Sequence, residues 1–159
     1  MTAVPVTVEH LDDLCALWAD ERVTATLGGP RSADNVELIV SFYEQEWRDR
    51  GYGEWAWSDR VTGAFIGRAG LRVVRVDDVE EVEVGYALVA ERWGEGLATE
   101  ATHELVRVAF EVVGLPDVVA FTTPTNLASQ RVMRKSGFVY EKDIVWADLD
   151  HVLYRRTPR

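Results

Sequence analysis

The amino-acid sequence predicts a mixed α/β (α+β) fold, a mostly antiparallel central sheet with helices on both faces. Three observations carry that prediction. The middle of the chain holds the β-branched and aromatic segments WAWSD, AFIGRAGLRVV and VEVGYALVA, separated by the turn signals Thr62-Gly63 and Asp77-Asp78. Leu97, Ala98, Ala101, Leu105, Val108, Ala109 and Val112 then recur at helical spacing. Two further β-like segments, FVYEKDIVWA and HVLYRR, close the chain. A meander followed by helix, strand, helix and strands has to bury its helices against one sheet.

The remaining elements follow in order. Val4 to Thr7 reads as a short first strand. Leu11, Leu14, Cys15 and Trp18 then mark a helix with Thr7 as a candidate N-cap. The segment GGPRSADN breaks that helix, and Ser32 or Asp34 caps the next one. Its apolar face is Val36, Ile39, Val40 and Tyr43, and it ends before Gly51. Gly114 and Pro116 stop the long amphipathic helix. The strand VVAFTT and a helix from about Asn126 to Ser136, closed by Gly137, complete the pattern.

Composition sets the class. The chain has 159 residues, 47% of them hydrophobic and 28% charged, the balance of one globular domain spanning residues 1–159. Cys15 is the single cysteine, so neither an internal disulfide nor a multi-cysteine zinc site is available. No apolar run approaches the roughly 18 residues of a membrane helix. The N-terminus lacks the basic and apolar regions of a secretion signal, so the expected location is cytoplasmic.

With 17 Lys and Arg against 27 Asp and Glu, the net charge is −10. A surface of that sign repels phosphate backbones and anionic lipid, which argues against nucleic-acid and membrane partners. The imbalance is uneven. Residues 131–159 carry seven basic against four acidic residues, and the first 130 carry ten against twenty-three. An acidic body with a basic C-terminal segment suits a cationic substrate and an anionic cofactor; a surface kept acidic for solubility has the same composition.

Three segments carry chemistry. The turn Trp93-Gly94-Glu95-Gly96-Leu97-Ala98-Thr99 lies between a strand and the start of the amphipathic helix. Glycines admit close backbone approach and left-handed conformations. The first helical amides lack intrahelical acceptors and sit at the positive end of the dipole, so the turn suits a phosphate or pyrophosphate, with Thr99 as an added hydroxyl donor. Neither GxGxxG nor a Walker loop fits, since Thr99 stands where a third glycine belongs and no Gly-Lys-Ser/Thr is present. A tight turn without ligand has the same two glycines.

Asn126 and Ser129 open the later helix, Asn126 as an N-cap and Ser129 with a hydroxyl at the third helical position. Glu83 shares a strand face with Glu81 and Gly85, and is either a solvated strand residue or a carboxylate lining a cleft. His10, His103 and His151 are scattered without metal-ligand spacing. Most of the six tryptophans read as core or groove walls; Trp55 and Trp57 share one strand face, so at least one is a candidate to line a pocket.

Taken together, VEVGYALVAERWGEGLATEA, VVAFTTPTNLASQRVMRKSGF and HVLYR resemble the GNAT superfamily of acetyl-CoA-dependent N-acetyltransferases, nearest the branch of the ribosomal-protein-alanine acetyltransferases. The resemblance covers residues 82–155; LCALWAD and TGAFIGRAGL upstream are similar but less specific.

The resemblance implies the GNAT fold, acetyl-CoA or coenzyme A as cofactor, a small-molecule or peptide amine as acceptor, and a homodimer. It implies that Trp93, Gly94, Glu95, Gly96, Leu97 and Ala98, with Thr99, hold the diphosphate. Leu88, Val89 and Ala90 match the splayed strand end that pairs with the pantetheine arm, an amide near Val89 serving the oxyanion. Asn126 and Ser129 match positions at the thiol end, Ser129 as the nominee for protonating the departing thiolate. Glu83 matches a strand carboxylate that acts as general base. Arg131, Arg134 and Lys135 are either phosphate contacts or surface residues.

The departures are specific. Met133 stands where many members carry a tyrosine acid, so that role passes to Ser129 or to water. Glu95 puts a carboxylate inside the anion-binding turn. The first strand begins later than is usual for the family. An acyl-CoA-binding module without transferase activity is the competing reading. The acceptor is left open among a protein N-terminus, an aminoglycoside and a small metabolic amine.

Overall fold

The computed structural model describes residues 1–159. Its strands are β1 (Thr2–Pro5), β2 (Glu54–Ser58), β3 (Phe65–Val76), β4 (Val79–Leu88), β5 (Val118–Thr122), β6 (Val139–Trp146) and β7 (Leu149–Arg156). Its helices are α1 (Leu11–Ala19), α2 (Glu21–Thr24), α3 (Ala33–Arg50), α4 (Leu97–Arg107) and α5 (Leu127–Lys135). The strands form a seven-stranded, mostly antiparallel sheet in the order β1-β2-β3-β4-β5-β7-β6, and the fold is mixed α/β. Packing divides the chain into two compact units, Met1–Gly70 with Tyr86–Glu95, and Leu71–Gly85 with Gly96–Arg159.

In the first unit β1 runs antiparallel to β2 from Thr2↔Ser58 to Pro5↔Trp55, two residues earlier than the sequence suggests. The strand stops there because Thr7 is taken as a cap. Its side chain accepts from Glu9 N while His10 Nδ1 accepts from Thr7 N at 3.1 Å, closing a one-turn 3-10 helix that leads into α1. The first helix also breaks earlier than the glycine pair. Asp20 adopts an extended conformation and accepts from Arg22 N at 2.9 Å, which starts α2 as a separate turn. Ser32 then caps α3, and Gly51 at φ 73 ends it.

The core of this unit joins Val6, Leu14, Leu17, Trp18, Val36, Val40 and Tyr43 to Ala56 and Ala87. Each aliphatic side chain buried this way contributes about 1.5–3 kcal/mol. The tryptophans of β2 are held by polar ends as well as by packing. Trp57 Nε1 donates to the Ala69 carbonyl at 3.0 Å, and Trp55 packs edge-on to Trp47 at 4.7 Å.

In the second unit Asp77 and Asp78, at φ 47 and 63, close the hairpin between β3 and β4. Ala147 and Asp148, at φ 50 and 62, do the same for β6 and β7. β4 meets β5 in parallel at Glu83↔Val119, and β5 pairs antiparallel with β7 from Val118↔Arg156 to Thr122↔Val152. Val74, Val76, Val119, Phe121, Ile144 and Leu153 form the core there. α4 continues into a π-helical turn at Val108–Val113, which Gly114 ends at φ 78. The periodicity through Val112 therefore reflects two kinds of helix. No helix is long and apolar enough to cross a membrane.

One ion cluster fixes the strand ends of this unit. Arg155 on β7 reaches Glu81 at 2.7 Å, Glu141 at 2.5 Å and Asp117. Those carboxylates, Glu81 foremost, raise the guanidinium pKa well above its ordinary range. Arg155→Gln leaves three carboxylates facing one another. The expected cost is roughly 2 kcal/mol at neutral pH. Thermal melting of both proteins at neutral pH reads the difference; equal melting would contradict it.

Candidate active site

The turn after β4 is built from its own backbone. The chain leaves β4 at Leu88 and makes a 3-10 turn over Ala90–Arg92. The Val89 amide donates to the Ile66 carbonyl at 2.9 Å, and the Arg92 amide donates to the Val89 carbonyl at 3.1 Å. The Trp93 indole, half exposed on the surface, donates to the Leu88 carbonyl at 3.0 Å. The Val89 N–H is engaged by Ile66 and is not a spare donor for an oxyanion. Carbonyl oxygens keep a second lone pair, so Leu88 and Val89 still offer acceptors.

Gly94 and Gly96 take φ values of 82 and 80, the left-handed region that favours glycine. A Cβ on either would meet nothing within 4 Å, so the backbone conformation itself requires glycine. Gly96 is the N-cap of α4, with no side chain capping the helix. By contrast Asp20, Ser32 and Asn126 each cap their helices with an oxygen. The first-turn amides of α4, at Leu97, Ala98 and Thr99, are therefore left for an outside acceptor. Leu97, Ala98 and Thr99 are each half-buried.

Glu95 does not stand as an isolated charge in that turn. Arg92 Nε donates to its two oxygens at 2.9 and 3.0 Å, and Arg92 also meets Asp59 at 3.3 Å. Asp59 accepts from the amides of Val61 at 2.8 Å and Thr62 at 3.1 Å. The Thr62 and Val61 amides, then Arg92, hold the Asp59 carboxyl below the usual range. A depressed carboxyl contributes its stability above its unfolded pKa of about 3.9 and loses it as the pH falls through the lower folded value. The anchor is thus intact across the neutral range. Arg92 itself is shifted upward, chiefly by Glu95.

Glu83 is buried, at 5% exposure, so it is not a solvated strand residue. Arg72 on β3 donates from Nε at 3.0 Å and from Nη2 at 2.5 Å, both to Glu83 Oε2. The Arg72 guanidinium lies over the Trp146 ring at 5.3 Å. Sequence reasoning passed over both Arg72 and Trp146. An arginine in the apolar run LRVV is the signal that could have found the first.

The second unit also holds the other helix start. Asn126 Oδ1 accepts from the Ser129 amide at 3.1 Å while Asn126 Nδ2 donates to Thr122 Oγ1 at 3.0 Å, and Ser129 is half-buried. α5 packs against α4, and His103 Nε2 donates to the Lys135 carbonyl at 3.3 Å. Arg134 is turned onto Tyr154, donating to its hydroxyl at 2.8 Å, while Arg131 and Lys135 are exposed. Met133 is fully buried as a core residue. No three His, Cys, Asp or Glu side chains are grouped so as to hold a metal ion.

The comparison with known proteins decides the family. Residues 1–139 match the acetyltransferase (GNAT) domain. The chain belongs to the GNAT acetyltransferase family. It is an acyltransferase by that membership. It is 33% identical over 128 residues to the uncharacterized protein YkkB of Bacillus subtilis, covering 80% of this chain and 74% of that one. It is 32% identical over 146 residues to the FsC-acetyl coenzyme A-N(2)-transacetylase of Aspergillus fumigatus, covering 86% of this chain and 61% of the relative. A putative GnaT-family acetyltransferase from Bordetella pertussis superposes with a TM-score of 0.85 at 25% identity, over 98% of this chain and 94% of that one. Within this acetyltransferase, Glu83, Gly96–Thr99, Asn126 and Ser129 fall in one compact unit and Leu88–Glu95 in the other.

Proposed function

We propose that this acetyltransferase moves acetyl from acetyl-CoA to a primary amine by direct attack in a ternary complex. The observation that carries the reading is the glycine turn at Trp93–Thr99, which ends in a helix start with no side-chain cap. Amide donors at the positive end of a helix suit a diphosphate. Glu95, the one opposing charge in the turn, is met by Arg92. The residues present therefore fit the cofactor, with Leu88–Ala90 offering backbone to the pantetheine arm.

When bound, acetyl-CoA supplies a thioester whose carbonyl carbon accepts the amine and whose sulfur departs. The chain's residues serve the protons. An amine at neutral pH is mostly protonated, and Glu83 takes that proton, directly or through water. Ser129, half-buried at the first turn of α5, donates to the departing sulfur. A backbone amide near Val89 serves the oxyanion.

The acidic first 130 residues support a cationic acceptor. The segments at 82–155 support a place beside the ribosomal-protein-alanine branch.

Calorimetric titration with acetyl-CoA, coenzyme A and NADH tests the cofactor. Saturable binding of the two CoA species alone is expected, followed by thiol release with at least one of an alanine-starting peptide, kanamycin or spermidine. Binding without release would favour an acyl-CoA-binding module, a reading that the Arg72 ion pair on Glu83 supports. No binding would defeat both. Glu95→Gln frees Arg92 for the diphosphate, so coenzyme A affinity rises about twofold to fivefold at low salt, the scale of one charge at a helix start. The gain shrinks in high salt, and an unchanged affinity would mean that Arg92 stays on Asp59.

A further inference from the structure

We propose that Arg72 is a positioning residue for Glu83, held in place by Trp146, and that this pair sets which carboxylate oxygen meets the amine. The inference rests on the reading of Glu83 as the base.

Each strand of the second unit contributes to the arrangement. Arg72 lies on β3, Glu83 on β4, Phe121 on β5, Trp146 on β6 and His151 on β7. Both guanidinium donors fall on Oε2, at 3.0 and 2.5 Å, so that oxygen is anchored and Oε1 is left outside the pair. A guanidinium on a flexible stem would not hold that orientation unaided. Here its Cζ lies over the Trp146 ring, 5.3 Å from the centroid, a cation–π contact. Trp146 is braced in turn by Phe121, with centroids 5.1 Å apart, and by His151 at 6.2 Å and perpendicular to it. The chain of contacts runs from the β6–β7 hairpin to the proposed base.

The nearby charges are assigned elsewhere. Glu81, on the same strand face, is bound by Arg155 together with Asp117 and Glu141. His151 Nδ1 donates to the Leu149 carbonyl at 2.9 Å. The cation against Glu83 is Arg72. A carboxylate this buried would be costly without such a partner, so the pair holds the Glu83 side chain in place.

A double-mutant cycle separates positioning from general support of the fold. Arg72→Gln is expected to lower kcat about tenfold to a hundredfold, the cost of displacing a reacting group by about an ångström, while calorimetry finds acetyl-CoA affinity unchanged. In the Glu83→Gln background the same change should cost less than about twofold, because Arg72 acts through Glu83. Arg72→Lys keeps the charge without the planar fork, so it recovers only part of the loss and carries the cycle if the glutamine variant does not fold. Thiol release with kanamycin, spermidine and an alanine-starting peptide supplies the rates. An Arg72 effect of equal size in both backgrounds overturns the inference and leaves Glu83 as base. A Glu83→Gln enzyme as fast as the parent overturns the base reading itself.

Discussion

Glu83→Gln is expected to lower kcat/KM by about 10²–10⁴-fold, the usual contribution of a positioned acid or base. Glutamine keeps the shape of the side chain and one oxygen that Arg72 can still reach, but it cannot take a proton. The loss therefore falls on the chemical step and leaves the amides at Leu97–Thr99 untouched, so the calorimetric affinity for acetyl-CoA stays at the parent value. A second effect has to be kept apart. The change leaves the Arg72 guanidinium, 26% exposed, facing a neutral partner, which lowers the melting temperature even if Glu83 has no part in catalysis. Melting and turnover thus report different things. Reduced melting with full kcat/KM from neutral to alkaline pH would make Glu83 a structural carboxylate and leave proton removal to water.

The parts of the site that were legible in the sequence are those encoded within a few residues. Gly94 and Gly96 announce a turn because two left-handed residues next to a helix start need glycine locally. Asn126 announces a cap because its oxygen has only to reach Ser129 N, three residues on. Glu83 was placed on the correct strand and face, yet its burial depends on β5, whose Val119 is its register partner from a distant part of the chain. No periodicity within β4 contains that information.

The same limit hid Arg72 and Trp146, which meet only after β6 and β7 have folded beside β5. Glu95 looked unfavourable in isolation because its neutralisation needs Arg92 to turn back toward it and Asp59 to hold Arg92. The break at Asp20 is local, since an aspartate whose side chain accepts from the amide two residues on is a cap, but the apolar spacing through Trp18 does not encode it. The bond from the Val89 amide to Ile66 is non-local in the same way as those of Arg72 and Glu95, since Ile66 lies on the neighbouring strand.

Gly67→Ala is expected to destabilise the protein and to slow it. Gly67 pairs with Trp57, where the β2–β3 register is irregular. A Cβ there would strike the Ala87 carbonyl oxygen and stand 2.7 Å from Leu88 Cα and 2.8 Å from Leu88 Cδ2. Two of those atoms are backbone, so no rotamer change relieves the overlap and the strands must separate. Forcing a methyl into a packed site costs about 1–3 kcal/mol. For a chain of this size that lowers Tm by about 3–10 °C. The displaced segment is the end of β4, tied to Ile66 through the Val89 amide and leading directly into the glycine turn. A shift of about an ångström at a reacting site costs up to about 10²-fold in rate. Gly94→Ala is the contrast, because its Cβ would enter open space. It carries only the conformational penalty of about 1–2 kcal/mol for a left-handed residue. If Gly67→Ala melts and turns over like the parent, the spacing of β3 and β4 is not what sets the end of β4, and the glycine turn keeps its geometry by its own hydrogen bonds alone.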